Sequence, residues 1–134
     1  MKFRRVRIDK NEWIEHLKQI GSDKKWFLYL LNQYNTECFN LYIDSLKNES
    51  IIVGAYTISN SVNIVDCSIF IFPKYRRNGI AKDFITELIS KNEKIQFTVS
   101  KYNIISLNFF KSLNTLLNID FNDKENSIII TKKD

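Results

Sequence analysis

The sequence of 134 residues is poor in proline, glycine, cysteine and histidine, with one, three, two and one of them respectively. Long apolar runs are also missing. The longest, Trp26 to Leu31, falls far short of the roughly 20 residues that cross a membrane as a helix. The basic stretch from Met1 to Arg7 resembles the start of an export signal, but polar residues 9–12 follow it in place of an apolar segment. We therefore expect a cytoplasmic protein that does not enter a membrane.

The two cysteines and the single histidine are too few and too widely spaced to predict a metal site. In a cytoplasmic protein, Cys38 and Cys67 are expected to be free, buried thiols. A nucleophilic pair of one cysteine with His16 is an alternative that the residues alone leave open.

The formal net charge is +5 at pH 7. A basic surface suits a polyanionic partner, such as a phosphate-bearing ligand, an acidic substrate or a nucleic acid. The nucleic-acid hypothesis depends on this charge and on the N-terminal residues Lys2, Arg4, Arg5 and Arg7. A solvated, lysine-rich surface explains the same charge without any partner.

Hydrophobic periodicity predicts alternating strands and helices in one domain that spans residues 1–134. We expect strands over Phe3–Ile8, Cys38–Asp44, Ile51–Ser59, Val62–Phe72, Lys94–Ser100, Leu117–Phe121 and Ser127–Lys132. We expect helices from an Asp9 cap to Gly21, from Ser22 through Tyr34, from Ile80 to Lys91 and from Ile104 to Leu113. The order β-α-α-β-β-β-α-β-α-β-β predicts an α/β fold with a mixed sheet and helices on both faces. The strands on either side of the third helix should be parallel.

The only proline lies in the segment with the clearest chemical signal. The apolar run Ser68–Phe72 ends at Pro73, a polar turn follows, and Gly79 opens an amphipathic helix. Unpaired N–H groups and the dipole at a helix start attract anions. Arg76 and Arg77 add guanidinium groups that can pair with phosphate oxygens. The segment therefore predicts a phosphate-bearing ligand at the end of this strand.

The motif Arg76-x-x-Gly79-x-Ala81 resembles the pyrophosphate loop of the GNAT superfamily of acyl-CoA N-acyltransferases, Arg/Gln-x-x-Gly-x-Gly/Ala. Its flanks also agree, with an apolar strand, Pro73, the aromatic Tyr75 and a helix. A second motif, Asn103-x-x-Ser106-x-x-Phe109-Phe110, follows the next strand, where the family places Asn-x-x-Ala-x-x-Leu-Tyr. With the strand order of the whole chain, the resemblance implies the GNAT fold.

The resemblance also implies a binding site for an acyl-CoA, with acetyl-CoA as the expected acyl donor. By position, Ile69, Phe70 and Ile71 would offer backbone groups to the pantetheine arm. The pyrophosphate would be received at Arg76 and by the N–H groups of Arg77, Asn78, Gly79, Ile80, Ala81 and Lys82. Asn103 would orient the pantetheine or thioester end, and a helix cap for Ile104 onward explains it equally well.

The sequence departs from the family at the position of the usual general acid. The family has a tyrosine seven residues after the asparagine, which protonates the CoA thiolate, and here this residue is Phe110. The Gly-Phe pair that often follows is replaced by Asn114 and Thr115. Either the protein transfers an acyl group without this acid, with Tyr102 or Tyr75 as proton donor, or it has kept acyl-CoA binding and lost turnover.

Transfer to a primary amine also requires a base, because the amine must lose a proton before it attacks. Asp66 and Glu37 are candidate bases by their location, although a role at a strand end or turn is the commoner one for an aspartate such as Asp66. Aromatic residues of the first two predicted helices belong to the core or border the acceptor pocket: Trp13, Trp26, Phe27, Tyr29 and Tyr34.

Three hypotheses of function follow. The first is an acetyl-CoA-dependent N-acetyltransferase whose amine acceptor is a small molecule, a protein or a charged tRNA. The second is a degenerate GNAT module that binds acyl-CoA or a protein partner without turnover, and the third is a basic nucleic-acid-binding domain. The intact loop favours the first and Phe110 favours the second. The sequence does not distinguish a monomer from a homodimer.

Overall fold

A seven-stranded mixed sheet forms the centre of the computed structural model, which describes residues 2–17, 36–44, 49–61, 64–91, 94–114 and 116–133. The strands are β1 (Phe3–Ile8), β2 (Thr36–Asp44), β3 (Ser50–Ser61), β4 (Ile64–Ile71), β5 (Ile95–Ser100), β6 (Ile119–Asp123) and β7 (Ser127–Lys132). Within these ranges the α-helices are α1 (Lys10–Leu17), α2 (Ile80–Lys91) and α3 (Ile104–Leu113), and Pro73–Tyr75 forms a 3-10 turn. None of these helices has the length and apolar character needed to span a bilayer.

The strands lie side by side in the order β1-β2-β3-β4-β5-β7-β6. Neighbouring strands are antiparallel except β4 and β5, which run parallel and are connected through α2. A parallel pair needs a crossover connection, and the helix supplies it. The predicted mixed sheet and its strand–helix–strand crossover are therefore confirmed.

Most predicted boundaries lie within a few residues of the observed ones. The bounds of β1, α2, α3 and β7 are as predicted, whereas β6 covers Ile119–Asp123 rather than Leu117–Phe121. The predicted Asp9 cap of α1 is present, because the Glu12 amide donates a 2.8 Å hydrogen bond to Asp9 Oδ1. The predicted helix stop at Gly21 lies outside the described residues. So does the predicted second helix, with Trp26, Phe27, Tyr29 and Tyr34.

The two faces of the sheet carry separate apolar clusters, because successive strand residues point to opposite faces. The face toward α2 and α3, here called the α2–α3 side, holds alternate residues of β4 and β5 such as Cys67, Phe97 and Val99. The opposite face, the α1 side, holds a smaller cluster that consists of Trp13, Cys38, Ala55, Phe70 and Phe72. The helices add these buried residues to the larger cluster: Ile80, Phe84, Ile85, Leu88, Ile89, Leu107, Phe110 and Leu113. Helices therefore cover both faces, as predicted.

Gly54 in β3 permits a close approach between β3 and β4. A β-carbon at this position would lie 2.3 Å from the carbonyl oxygen of Phe70 and 3.1 Å from the Cα of Ile71. The pairing of β3 with β2 shifts beside Gly54, which leaves Val53 as a β-bulge. The Val53 carbonyl accepts a 2.8 Å hydrogen bond from the Phe72 amide. The end of β4 is therefore fixed in position by β3.

We expect the substitution Gly54→Ala to lower the free energy of unfolding by about 1–3 kcal/mol, the usual cost of inserting a methyl group into a packed interior. The added β-carbon cannot be accommodated unless β3 and β4 separate. Urea denaturation would measure the effect. Asn60→Ala, at the exposed end of the same strand, is the control and should change the free energy by less than about 0.5 kcal/mol. Equal stability of the two variants would contradict the close approach.

Candidate functional site

The two parallel strands at the centre of the sheet pair over only part of their length. The paired residues are Val65 with Ile95, Asp66 with Gln96, and Cys67 with Phe97. Both strands continue beyond these pairs, β4 to Ile71 and β5 to Ser100, while β3 pairs with the far edge of β4 and β7 with that of β5. The facing edges of β4 and β5 therefore diverge in their last few residues. Edges of this kind present backbone donors and acceptors that need partners.

A narrow cleft lies where the strands diverge, and we call it the β4–β5 cleft. Its lining residues come from β4, β5 and α3: Cys67, Ser68, Ile69, Phe97, Thr98, Val99, Ser100, Asn103, Ser106 and Phe110. Strand alternation divides the lining, because Ser68, Thr98 and Ser100 are on the α1 side while Cys67 and Phe97 are on the α2–α3 side. The cleft thus opens through the sheet and carries hydroxyl groups toward α1.

The turn between β4 and α2 has the backbone geometry of an anion site. Arg77 and Gly79 both have positive φ angles, 67° and 75°. A β-carbon on Gly79 would meet no atom within 4 Å, so glycine is favoured here by its φ angle rather than by crowding. The Gly79 carbonyl accepts the first helical hydrogen bond, from the Asp83 amide at 3.0 Å. The backbone amides of Ile80 to Lys82, which precede Asp83, have no hydrogen-bond partner in the part of the chain that the structure describes.

The basic residues of the turn are exposed, except where Arg76 bonds to the strand. Arg76 Nε donates a 2.8 Å hydrogen bond to the Ile71 carbonyl, which leaves its terminal nitrogens for another partner. Arg77 and Lys82 are exposed at the same helix start. Positive side chains and the positive end of the helix dipole coincide here, so the turn attracts anions.

Asn103 lies beside the mouth of the cleft and caps α3. Its Oδ1 accepts a 3.1 Å hydrogen bond from the Ser106 amide, and its carbonyl accepts one from the Leu107 amide. The cap that the sequence offered as one reading of Asn103 is therefore present. Because Asn103 also lines the cleft, its side-chain NH₂ group remains a donor for a ligand.

Phe110 is buried and also lines the cleft, with 4% of its surface exposed. Its ring centroid lies 5.3 Å from that of Phe97 and 5.4 Å from that of Phe109. Tyr102, offered as a substitute proton donor, is 82% exposed and lies outside the cleft lining. Tyr75 is half-buried against both apolar clusters. The structure therefore brings neither tyrosine to the cleft lining.

Asp66 lies next to the cleft, in the last part of β4 that pairs with β5. Its Oδ1 accepts a 2.9 Å hydrogen bond from Thr98 Oγ1, a hydroxyl of the cleft lining. Burial raises the pKa of Asp66 above its ordinary value, and hydrogen bonds from Thr98 and Gln96 oppose that rise. A carboxylate with a raised pKa is a better proton acceptor near neutral pH than an ordinary aspartate.

Glu37, the other candidate base, lies on β2, two strands away from the cleft. It is half exposed and its carboxylate lies 3.9 Å from the Arg7 guanidinium. Along the register it aligns with Ile58 and Cys67, so its side chain is on the α2–α3 side and not with Asp66. The structure therefore separates the two candidate bases.

The cysteines and the histidine form no nucleophilic pair. Cys38 and Cys67 are both buried and free, and burial raises the pKa of each thiol. His16 Nε2 contacts Asn40 Oδ1 at 2.8 Å, and Asn40 Nδ2 donates to Glu12 at 3.0 Å. The His16 imidazole therefore has Asn40, and not a cysteine, as its hydrogen-bond partner. Among the described residues, no group of three or more potential metal ligands is close together.

The N-terminal arginines have partners within the chain. Arg5 forms a 2.6 Å ion pair with Glu87 of α2, and the Arg4 guanidinium lies 4.8 Å from the centre of the Tyr42 ring. A nucleic-acid surface needs cations that are free to meet phosphates. Of the N-terminal cations, Arg5 is thus engaged in an ion pair, while the Arg7 side chain is 70% exposed.

The sequence did not identify the hydroxyl groups of the cleft. Ser68, Thr98 and Ser100 alternate with apolar residues along two strands, and this alternation was their only signal. Ser106 occupies a position of the second motif, and the motif gives this residue no role. Whether such residues face a ligand depends on how far the strands pair, which is a tertiary property.

Solved structures resemble this chain over nearly its whole length at low sequence identity. An acetyltransferase of Bacillus subtilis in complex with CoA has a TM-score of 0.61 at 13% identity, covering 98% of this chain and 99% of that chain. The PaiA N-acetyltransferase of Thermoplasma acidophilum in complex with coenzyme A has a TM-score of 0.59 at 13% identity, with 99% and 100% covered. The ribosomal-protein-S18-alanine N-acetyltransferase of Escherichia coli has a TM-score of 0.57 at 14% identity, with 96% and 91% covered.

No protein-family model and no curated protein matches the sequence. The comparison with known proteins therefore depends on structural likeness alone. It confirms that the chain has the GNAT fold, with a mixed sheet and helices on both faces.

The environment of Asp66 predicts how its carboxyl group titrates. We expect a pKa above the ordinary 3.8, measured by NMR titration of the carboxyl carbon, because burial disfavours the charged form. Thr98→Val should raise the pKa further, since it removes a hydrogen bond to the carboxylate. Because the folded pKa lies above the unfolded one, ionisation of Asp66 should reduce stability as pH rises from about 3.8 through the folded value. Asp66→Asn should remove this part of the pH dependence, and a pKa at or below 3.8 would contradict the assignment.

Proposed function

Because the chain has the GNAT fold, we propose that residues 1–134 form a single acetyl-CoA-dependent N-acetyltransferase domain that acts on a primary amine. The observation that carries the proposal is the β4–β5 cleft. It places unpaired strand edges, the capping side chain Asn103 and the anion-attracting start of α2 at one end of the sheet.

The residues present suit the two chemically distinct parts of an acyl-CoA. The pyrophosphate would be bound by the amides of Ile80 to Lys82, with Arg76 and Arg77 beside them. The pantetheine arm carries amide groups, and it would extend as an added strand does along the Ile69–Ile71 edge that does not pair with β5, where Arg76 already occupies the Ile71 carbonyl. The side-chain NH₂ group of Asn103 would donate to an acceptor oxygen on the same arm.

The acceptor amine would approach from the α1 side of the cleft. A protonated amine cannot attack a thioester, so a base must take its proton. Asp66 is the candidate on that side, because its pKa is raised and it is linked to the cleft through Thr98. We propose that this amine belongs to a small molecule, a protein or a charged tRNA.

Mass spectrometry of the purified protein for bound acyl-CoA, followed by thiol-release assays with these three classes of amine, tests the proposal. Release of CoA thiol in step with N-acetylation of one acceptor is the expected result. Tight binding of acetyl-CoA without thiol release for any amine would instead identify a binding module. Absence of acyl-CoA binding would overturn the proposal.

The turn before α2 generates a binding prediction. Gly79→Glu should abolish acetyl-CoA binding in calorimetry, because it adds a carboxylate to an anion site and strains a positive φ angle. Arg76→Ala should weaken binding by about 1.5–3 kcal/mol if its terminal nitrogens meet phosphate oxygens. Lys111→Ala removes the same charge from an exposed position on α3 and should leave affinity unchanged. Unchanged affinity in both turn variants would remove the turn from the site.

The position of Phe110 generates a prediction about turnover. Phe110→Tyr should keep or raise the rate of thiol release, because a hydroxyl at the ring's edge could reach the sulfur from the cleft wall. The gain is bounded by the general-acid range of about 10²–10⁴-fold. If the hydroxyl instead met only apolar neighbours, it would cost roughly 1–3 kcal/mol of stability. A large fall in melting temperature with unchanged acetyl-CoA affinity would show that residue 110 does not face the thioester.

A further inference from the structure

The leaving sulfur of an acyl-CoA becomes negatively charged when its bond to the acyl carbon breaks, and a hydrogen-bond donor stabilises it. This inference rests on the proposed function. The amine would enter from the α1 side, so the sulfur would face the α2–α3 side of the β4–β5 cleft. There the lining includes Phe97 and Phe110, which have no polar hydrogen, and Cys67, whose fully buried thiol is a weak donor. Two polar donors remain on α3, the amide of Asn103 and the hydroxyl of Ser106.

The geometry of α3 brings the Ser106 hydroxyl close to the ring of Phe110. Residues four apart lie on the same helix face, and long side chains lean toward the helix N-terminus. The ring of residue 110 therefore lies over the turn that contains Ser106. Both residues line the cleft, and Phe97 packs against the same ring.

The Ser106 hydroxyl is free to serve a ligand. The Ser106 amide is already engaged as a donor to Asn103 Oδ1, so the hydroxyl is not needed for the cap. Within the described ranges, no hydrogen bond of this hydroxyl to the protein is present. The hydroxyl of a half-buried cleft residue, without a partner among the described residues, can donate to a ligand atom.

We propose that the Ser106 hydroxyl donates a hydrogen bond to the sulfur of CoA as the thioester bond breaks, in place of a donor at residue 110. The amine nitrogen bonds to the acyl carbon, the C–S bond breaks, and its electron pair goes to sulfur. Asp66 takes one proton from the ammonium before the attack, the nitrogen gives its second proton to water once it is bonded to the acyl carbon, and the thiolate takes one proton from water. Ser106 holds the charged sulfur between these events and keeps its own proton.

The other hydroxyls of the cleft are on the opposite side. Thr98 donates its hydroxyl proton to Asp66, and Ser100 Oγ accepts from the Tyr102 amide. Ser68, like both of these, is on the α1 side, where the amine would arrive. Because the Asn103 amide is assigned to the pantetheine arm, the division of the cleft between the two faces leaves Ser106 for the leaving group.

Thiol-release kinetics with acetyl-CoA and the amine identified in the acceptor screen test the role in turnover. Ser106→Ala should lower kcat by about tenfold to a hundredfold, the range of a hydrogen bond to a charged group, with little change in KM for acetyl-CoA. Ser106→Thr keeps a hydroxyl and should retain most of the activity. Ser112→Ala, near the exposed end of the same helix, is the matched control. Adding Phe110→Tyr to Ser106→Ala should restore part of the rate, because it returns a hydroxyl to the cleft lining on the same helix.

A second measurement needs no acceptor. Calorimetric affinities for CoA across a pH series, compared with those for desulfo-CoA, give the pKa of the bound thiol. A donor to the thiolate lowers that pKa, so Ser106→Ala should show a value higher by about 1 or more than the unsubstituted protein or Ser112→Ala. Desulfo-CoA should bind Ser106→Ala and the unsubstituted protein equally.

The outcomes separate this inference from the proposed function. If the unsubstituted protein binds no CoA, both are overturned. If it binds CoA, but Ser106→Ala matches Ser112→Ala in kcat and in the pKa of the bound thiol, only the role of Ser106 is overturned. A lower kcat together with a higher thiol pKa supports it, because a packing role for the serine would not move the titration of a ligand atom.

Discussion

The candidate site depends on one constraint. The parallel strands β4 and β5 diverge at one end and cannot pair with each other there. β4 is paired along its far edge with β3, and β5 with β7, so each strand is fixed from outside. After Cys67 and Phe97 the facing edges separate, and their peptide groups must find other partners. A ligand with amide groups along an extended arm can supply them. Because the strands are parallel, the starts of α2 and α3 both lie at this open end.

The sequence predicted the parts of this arrangement that local chemistry decides. Pro73 ends a strand, a glycine with positive φ precedes α2, and Asn103 caps α3, and each of these follows from the residue itself. The apolar stripe of α2 identified a crossover helix with its correct bounds. The bounds of α2 and α3 and the parallel strand pair were therefore accessible without a structure.

The remaining features depend on contacts between segments far apart in sequence. The residues of β4 and β5 do not indicate that the two strands pair at only three positions. The raised pKa of Asp66 arises from burial, which exists only after folding, and the sequence could therefore name the residue but not its environment. The close approach at Gly54 likewise needs β4 beside it. Glu37 shows the same limit, since only the register revealed that it lies on another face and two strands away.

The short parallel pairing also divides the sheet into two pieces. β1 to β4 on one side, and β5 with β7 and β6 on the other, are each built from antiparallel neighbours. In the sheet itself the seam between the pieces consists of three residue pairs, while the apolar cluster of the α2–α3 side packs across it. A ligand held across this seam would contact both pieces, so its binding energy would add to the cooperativity of the whole domain. A molecule bound at the least closed place of the sheet would therefore help to hold its two pieces together.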